Sequence, residues 1–211
     1  MSRIRRPFAA VGLALLSSTI IFAQTAPQTP PPMTFFVTSI GLGKGADLGG
    51  LTGADAHCQA LATQANAGNR TWRAYLSTQG PSAVNARERI GKGPWHNAQG
   101  VVVGQNLEQI HSFEHRFAFT TVLDERGRLI PGAGYMPNRH DILTGTQTNG
   151  TAYPAGADMT CNNWTSSSTG KARLGHHDRA AWNSTHDSNG CSQEQLRASG
   201  GDGLFYCFAV Q

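Results

Sequence analysis

Hydrophobic and polar positions along this chain change period several times, and each change marks an element. Between Thr34 and Ile40, Phe35, Val37 and Ser39 alternate with Thr34, Phe36 and Thr38, which predicts a strand ending at glycine. From Thr52 to Asn66, Cys58, Leu61, Ala62 and Ala65 recur at helical spacing. Thr52 stands where it can cap that helix, and Asp55 adds negative charge in its first turn. This spacing turns Cys58 toward the core, and Gly68 ends the helix. Trp72, Ala74 and Leu76 alternate along a second strand, and a second helix is predicted over Ser82 to Arg89. Between Gly91 and Tyr153 only fragments stand out: strands at Val101 to Val103 and Phe117 to Leu123, and a helical turn or two at Gln105 to His111. Further strands are predicted near Asn163 to Thr165, Ala172 to Gly175 and Leu204 to Val210. The polar loops between them, rich in Asn, Ser and Gly, are where binding chemistry concentrates.

The N-terminal pattern is of another kind. Arg3, Arg5 and Arg6 precede an apolar run, Ala9 to Phe22, that is short for a bilayer span. It reads as a cleavable signal peptide over residues 1–23, cut near Ala23, with Ala26 as the alternative. Arg5-Arg6-Pro7-Phe8 also resembles a twin-arginine export signal, so a secreted or periplasmic location is expected. No cysteine follows the run to accept a lipid anchor, and no later segment is long and apolar enough to span a membrane. Residues 24–33 form a Pro-rich spacer, and residues 34–211 suffice for one domain with a real core.

Charge changes the picture only by exclusion. The 17 Lys and Arg against 13 Asp and Glu fall to 14 against 13 once the leader's three arginines are removed. Such a balance gives no support to nucleic-acid binding, which needs clustered cations. Four cysteines, Cys58, Cys161, Cys191 and Cys207, are expected to be structural disulfides in an exported chain. Three connectivities are open and sequence alone does not choose among them. Cys58 on the first helix and Cys207 in the last strand would tie the chain ends, while Cys161 and Cys191 would close the long polar loop. No two cysteines have zinc-finger spacing. Gly41-x-Gly43-x-x-Ala46 follows a strand, but Gly49 and Gly50 delay the helix a dinucleotide fold would need. No nucleophile with an evident base stands out, and no Gly-x-Ser-x-Gly occurs.

Gly53-Ala54-Asp55-Ala56-His57-Cys58, followed by Thr71-Trp72-Arg73-Ala74-Tyr75-Leu76-Ser77, resembles the first helix and next strand of endostatin, the C-terminal domain of collagens XV and XVIII. Asp141-Ile142-Leu143-Thr144, Cys161-Asn162-Asn163-Trp164, Gly190-Cys191 and Leu204-Phe205-Tyr206-Cys207 resemble its later landmarks in the same order. The chain is also similar to secreted bacterial endostatin-like proteins implicated in binding host matrix and serum proteins. The resemblance implies an α+β, C-type-lectin-like fold: an irregular mixed sheet with two helices, rich in loops, with nested disulfides Cys58–Cys207 and Cys161–Cys191. The endostatin zinc site uses histidines near the mature N terminus. None occurs there in this chain, so that site is not transferred.

Sugar-binding C-type lectins hold Ca²⁺ through carboxylate and amide oxygens. The matching places here read Tyr153-Pro154-Ala155 and Trp182-Asn183-Ser184, without the two carboxylates, so the usual calcium site is not expected. The expected function is a non-enzymatic recognition module for a carbohydrate or an extracellular protein, acting through the Cys161–Cys191 region without a cofactor. Trp164 and Trp182 would offer flat faces, and Asn162, Asn163, Arg179 and Asn183 hydrogen bonds; both tryptophans also fit a core role. The alternative is a secreted metal-dependent enzyme built on His176, His177 and Asp178, with His186 nearby. Adjacent histidines on a strand point to opposite faces, so both reach one ion only if the strand bends.

Overall fold

Strand β8, Gly201–Val210, is the longest strand and the axis of the structure. Every residue from Gly203 to Ala209 is buried, so its two faces feed two separate cores. Phe205, Cys207 and Ala209 join Phe36, Trp72 and the apolar face of helix α1 (Gly50–Gln64) in one. Leu204, Tyr206 and Phe208 join Phe35, Tyr75, Trp95, Phe117 and Trp182 in the other. A strand buried on both sides loses polar alternation, and this explains why β1 (Phe35–Val37) is buried at all three positions.

The computed structural model describes residues 30–210. The predicted signal peptide and most of the predicted spacer lie outside the described residues, as does Gln211. The spacer's last residue, Met33, packs against the first core. Strands β1 and β2 (Thr71–Ala74) pair antiparallel with β8 and both place a residue opposite Cys207: Phe36 from β1 and Ala74 from β2. The first half of β8 pairs parallel with β5 (Asp141–Leu143). Antiparallel pairing then extends the sheet through β6 (Arg173–His176) to β7 (His186–Asp187). A hairpin of β3 (Trp95–His96) and β4 (Val102–Gly104) stands apart from this mixed sheet. Short helical pieces complete the α+β architecture: α2 (Leu107–Ile110), α3 (Cys161–Trp164), α4 (Gln193–Ser199) and a 3-10 turn at Ala86–Glu88. Among the described residues no helix is long and apolar enough to cross a membrane.

The disulfides are Cys58–Cys207 and Cys161–Cys191, with Cα separations of 5.6 and 5.8 Å. The first fastens α1 to β8, and the second closes the loop that carries β6 and β7.

Several local expectations are corrected. Helix α1 begins two residues before Thr52, at Gly50, with left-handed Gly49 at its N-cap position and no side-chain cap. Asp55 instead accepts from the Ala74 amide and pairs with Arg89 at 2.6 Å. The predicted helix at Ser82 to Arg89 shrinks to the 3-10 turn, and Phe117 to Leu123 forms turns rather than a strand. The predicted strand at Asn163 to Thr165 falls instead in α3, where Cys161, Asn162, Asn163 and Trp164 have φ of 47°, 54°, 56° and 67°. Four successive residues thus occupy the left-handed region, which costs L-residues about 1–2 kcal/mol each. Compensating contacts surround the turn: the Cys161–Cys191 bond, the buried Trp164 ring, and Asn163, whose side chain accepts from the Gln79 amide at 2.7 Å and donates to the Gln79 carbonyl at 3.1 Å.

Candidate functional site

The residues singled out in the Cys161–Cys191 region do not gather in one place. Trp164 is fully buried, its Nε1 donating to the Ser77 carbonyl at 2.7 Å. Trp182 is 1% exposed, stacked on Phe117 at 4.2 Å and donating to the Ile110 carbonyl. Neither presents a free aromatic face, because each indole fills core volume and satisfies a buried carbonyl. Asn162 is exposed on the left-handed turn, and Asn163 is spent on Gln79. Arg179 is exposed, with Nε 3.9 Å from Asp178.

Trp182 and Asn183 nevertheless help to form a cleft. Gly175 on β6 permits this: a Cβ there would collide with the Trp182 carbonyl, so only glycine lets residues 180–183 lie this close over the strand. Across from them, residues 111–115 follow α2, which Asn106 caps by accepting from the Gln109 amide. His115 ties the two segments, donating from Nε2 to the Ala180 carbonyl at 2.8 Å while its Nδ1 accepts from the Phe117 amide. The resulting cleft has a volume of about 320 Å³ and is lined by His111, Phe113, His115, Thr148, Trp182 and Asn183, among others. Phe113 stands at its rim, 98% exposed.

Beneath the cleft runs a hydrogen-bonded chain. The Asn183 amide donates to the Tyr75 hydroxyl at 3.0 Å and to the Thr148 carbonyl at 3.0 Å. The Tyr75 hydroxyl donates to His111 Nε2 at 2.7 Å, and His111 Nδ1 donates to the Leu107 carbonyl at 2.7 Å. Burial pushes the Tyr75 phenol up and His111 down to about 4, so both stay neutral at ordinary pH. Burial also lowers His115. The cleft therefore combines an apolar floor and rim with neutral, oriented polar groups, the composition suited to a small polar ligand with one apolar face.

The histidine group forms at the C-terminal end of β6, at His176 next to Gly175, and differs from the one predicted. His177 falls in the turn after β6, fully buried, with its ring near Phe119. Asp178 bonds the Ala133 amide and lies 3.4 Å from His140 Nδ1. His176, His177 and Asp178 therefore do not converge. His176 instead meets His186 from β7 and two residues outside the predicted set, His140 and Asp141, at the start of β5. Register is the cause. Asp141 is the direct partner of His176, and His186 is paired with Leu174, two residues away on the same face. His140, Asp141 and His176 offer ligand atoms all within 4.8 Å of one another. The only sequence signal for the missed pair is a histidine next to an aspartate at the head of a short apolar run, Ile142-Leu143.

Neither a protein-family model nor a curated protein matches this chain.

Proposed function

We propose that this chain is an exported, non-enzymatic recognition module of the C-type-lectin-like, endostatin-like class, which takes a carbohydrate or a side-chain group of an extracellular protein in the cleft between residues 111–115 and 180–183. The observation that carries this reading is the cleft itself. Its volume of about 320 Å³ suits a single sugar ring or side chain. Its exposed Phe113 rim can stack on an apolar ring face, and Thr148 and His115 stand beside it.

Three features support the class. The first and last strands pair antiparallel in a mixed sheet in which β8 is the central strand. Two nested disulfides fasten α1 to β8 and close the long loop. The chain between β4 and β8 is mostly irregular, with segments that a rigid sheet can hold as a binding surface.

The test is a glycan array together with immobilised matrix proteins, probed with the oxidised protein. Saturable binding, unaffected by chelator, is expected. Phe113→Ala should weaken it at least about tenfold, the loss of one aromatic contact of about 1.5 kcal/mol, with no change in Tm. Absence of saturable binding, or equal binding by the parent and Phe113→Ala, would overturn the reading.

A further inference from the structure

We infer that His140, Asp141 and His176 bind one divalent transition-metal ion of the zinc class, with the partly exposed His186 turning in as a fourth ligand. The inference is independent of the recognition cleft.

Asp141 carries the argument. Its side chain is 1% exposed and neither carboxylate oxygen has a hydrogen-bond donor in proper geometry. A buried carboxylate left this way is costly unless a cation compensates it. No Lys or Arg side chain pairs with it among the described residues; three imidazoles do. Nε2 of His140, His176 and His186 lie 3.2, 3.1 and 3.3 Å from Asp141 Oδ1, and Nε2 of His176 and His186 lie 3.0 Å apart. Ligand atoms held about 2.0–2.1 Å from a tetrahedral ion sit about 3.3 Å from one another. The separations from Asp141 Oδ1 are of that size; His186 lies outside the trio whose ligand atoms are all within 4.8 Å of one another, and its exposed ring must turn to complete the set.

Ring orientation agrees. His186 Nδ1 donates to the Asp187 carbonyl at 3.0 Å, which leaves the Nε2 lone pair facing Asp141. His140 Nδ1 faces Asp178 Oδ1 at 3.4 Å, and Asp178 is itself held by the Ala133 amide at 2.8 Å. A carboxylate behind a ligating histidine is the arrangement that fixes tautomer and aim at metal centres. The His140 and His176 rings are stacked with centroids 4.2 Å apart, so their Nε2 atoms come to the same carboxylate side by side. Three imidazole nitrogens and one carboxylate oxygen suit zinc, copper, nickel or iron and disfavour calcium and magnesium, which want oxygen throughout. The His186 side chain is 40% exposed, so an ion can enter from solvent on that side.

The test titrates metal-depleted, oxidised protein with Zn(II) against a chromophoric chelator. One equivalent per chain is expected. His186→Ala alters a partly exposed side chain and should fold; it and Asp141→Asn are expected to lower Zn(II) affinity at least about 100-fold, and Asp178→Asn about 10–100-fold. His57→Ala, on α1, should match the parent. Circular dichroism and intact disulfides establish that each variant is folded. Uptake well below one equivalent by the parent, or the same affinity in parent and folded His186→Ala, would overturn the inference.

Discussion

His111 shows how one side chain can make the cleft sensitive to acid. It is held between the Leu107 carbonyl and the Tyr75 hydroxyl, both at 2.7 Å. Burial, with a smaller push from Arg87, brings it down to about 4 against the opposing Leu107 carbonyl and Glu108. Its folded pKa thus lies below the unfolded value of about 6.5, so the unfolded chain binds the proton more readily. Stability from this group is complete above pH 6.5 and is lost as pH falls toward 4. His111→Gln should therefore flatten the pH dependence of unfolding between pH 6.5 and 4 by on the order of 2–3 kcal/mol, measured by urea titration at each pH. The histidine is plain in the sequence; its partners, 36 residues back in Tyr75 and on α2, are not. Trp164 and Trp182 follow the same logic, since aromatic character is legible but whether a ring faces solvent depends on packing partners 87 and 72 residues away.

At the scale of elements, periodicity predicts well where burial is one-sided and poorly where backbone geometry is set from outside. The face of α1 carrying Cys58, Leu61 and Ala62 and the alternation of Trp72 and Ala74 in β2 are where their spacing puts them. Helix α4 is also legible in principle: Ser192 and Gln195 form a capping box at its start. The left-handed turn α3 is the opposite case, because it depends on a disulfide and on Gln79. Asn163→Ala should remove both Gln79 bonds and place alanine at φ 56°, costing about 2–4 kcal/mol in chemical denaturation. Asn162→Gly, with φ of 54° and an exposed side chain, should cost less than about 0.5 kcal/mol.

For the molecule as a whole, the two disulfides do unequal work. Cys58–Cys207 spans 149 positions and Cys161–Cys191 spans 30. Loop-closure entropy assigns them about 5 and about 4 kcal/mol. Replacing Cys58 and Cys207 together by alanine should therefore lower stability more than replacing Cys161 and Cys191, as read from urea midpoints. By itself the sequence determined what neighbours within a turn or a pleat can encode: which face of α1 is apolar and which residues of β2 point inward. It also supplied four cysteines whose pairing it left open. Tertiary structure alone decided that pairing, and it alone brought His140 and Asp141 to His176 and His186. Those residues are separated by 35 to 46 positions, and only the register of β5 on β6 and of β6 on β7 makes them neighbours. A local pattern fixes the side of an element on which a residue lies. Which distant side chain it meets there is set by how the strands slide into register to bury their apolar faces together.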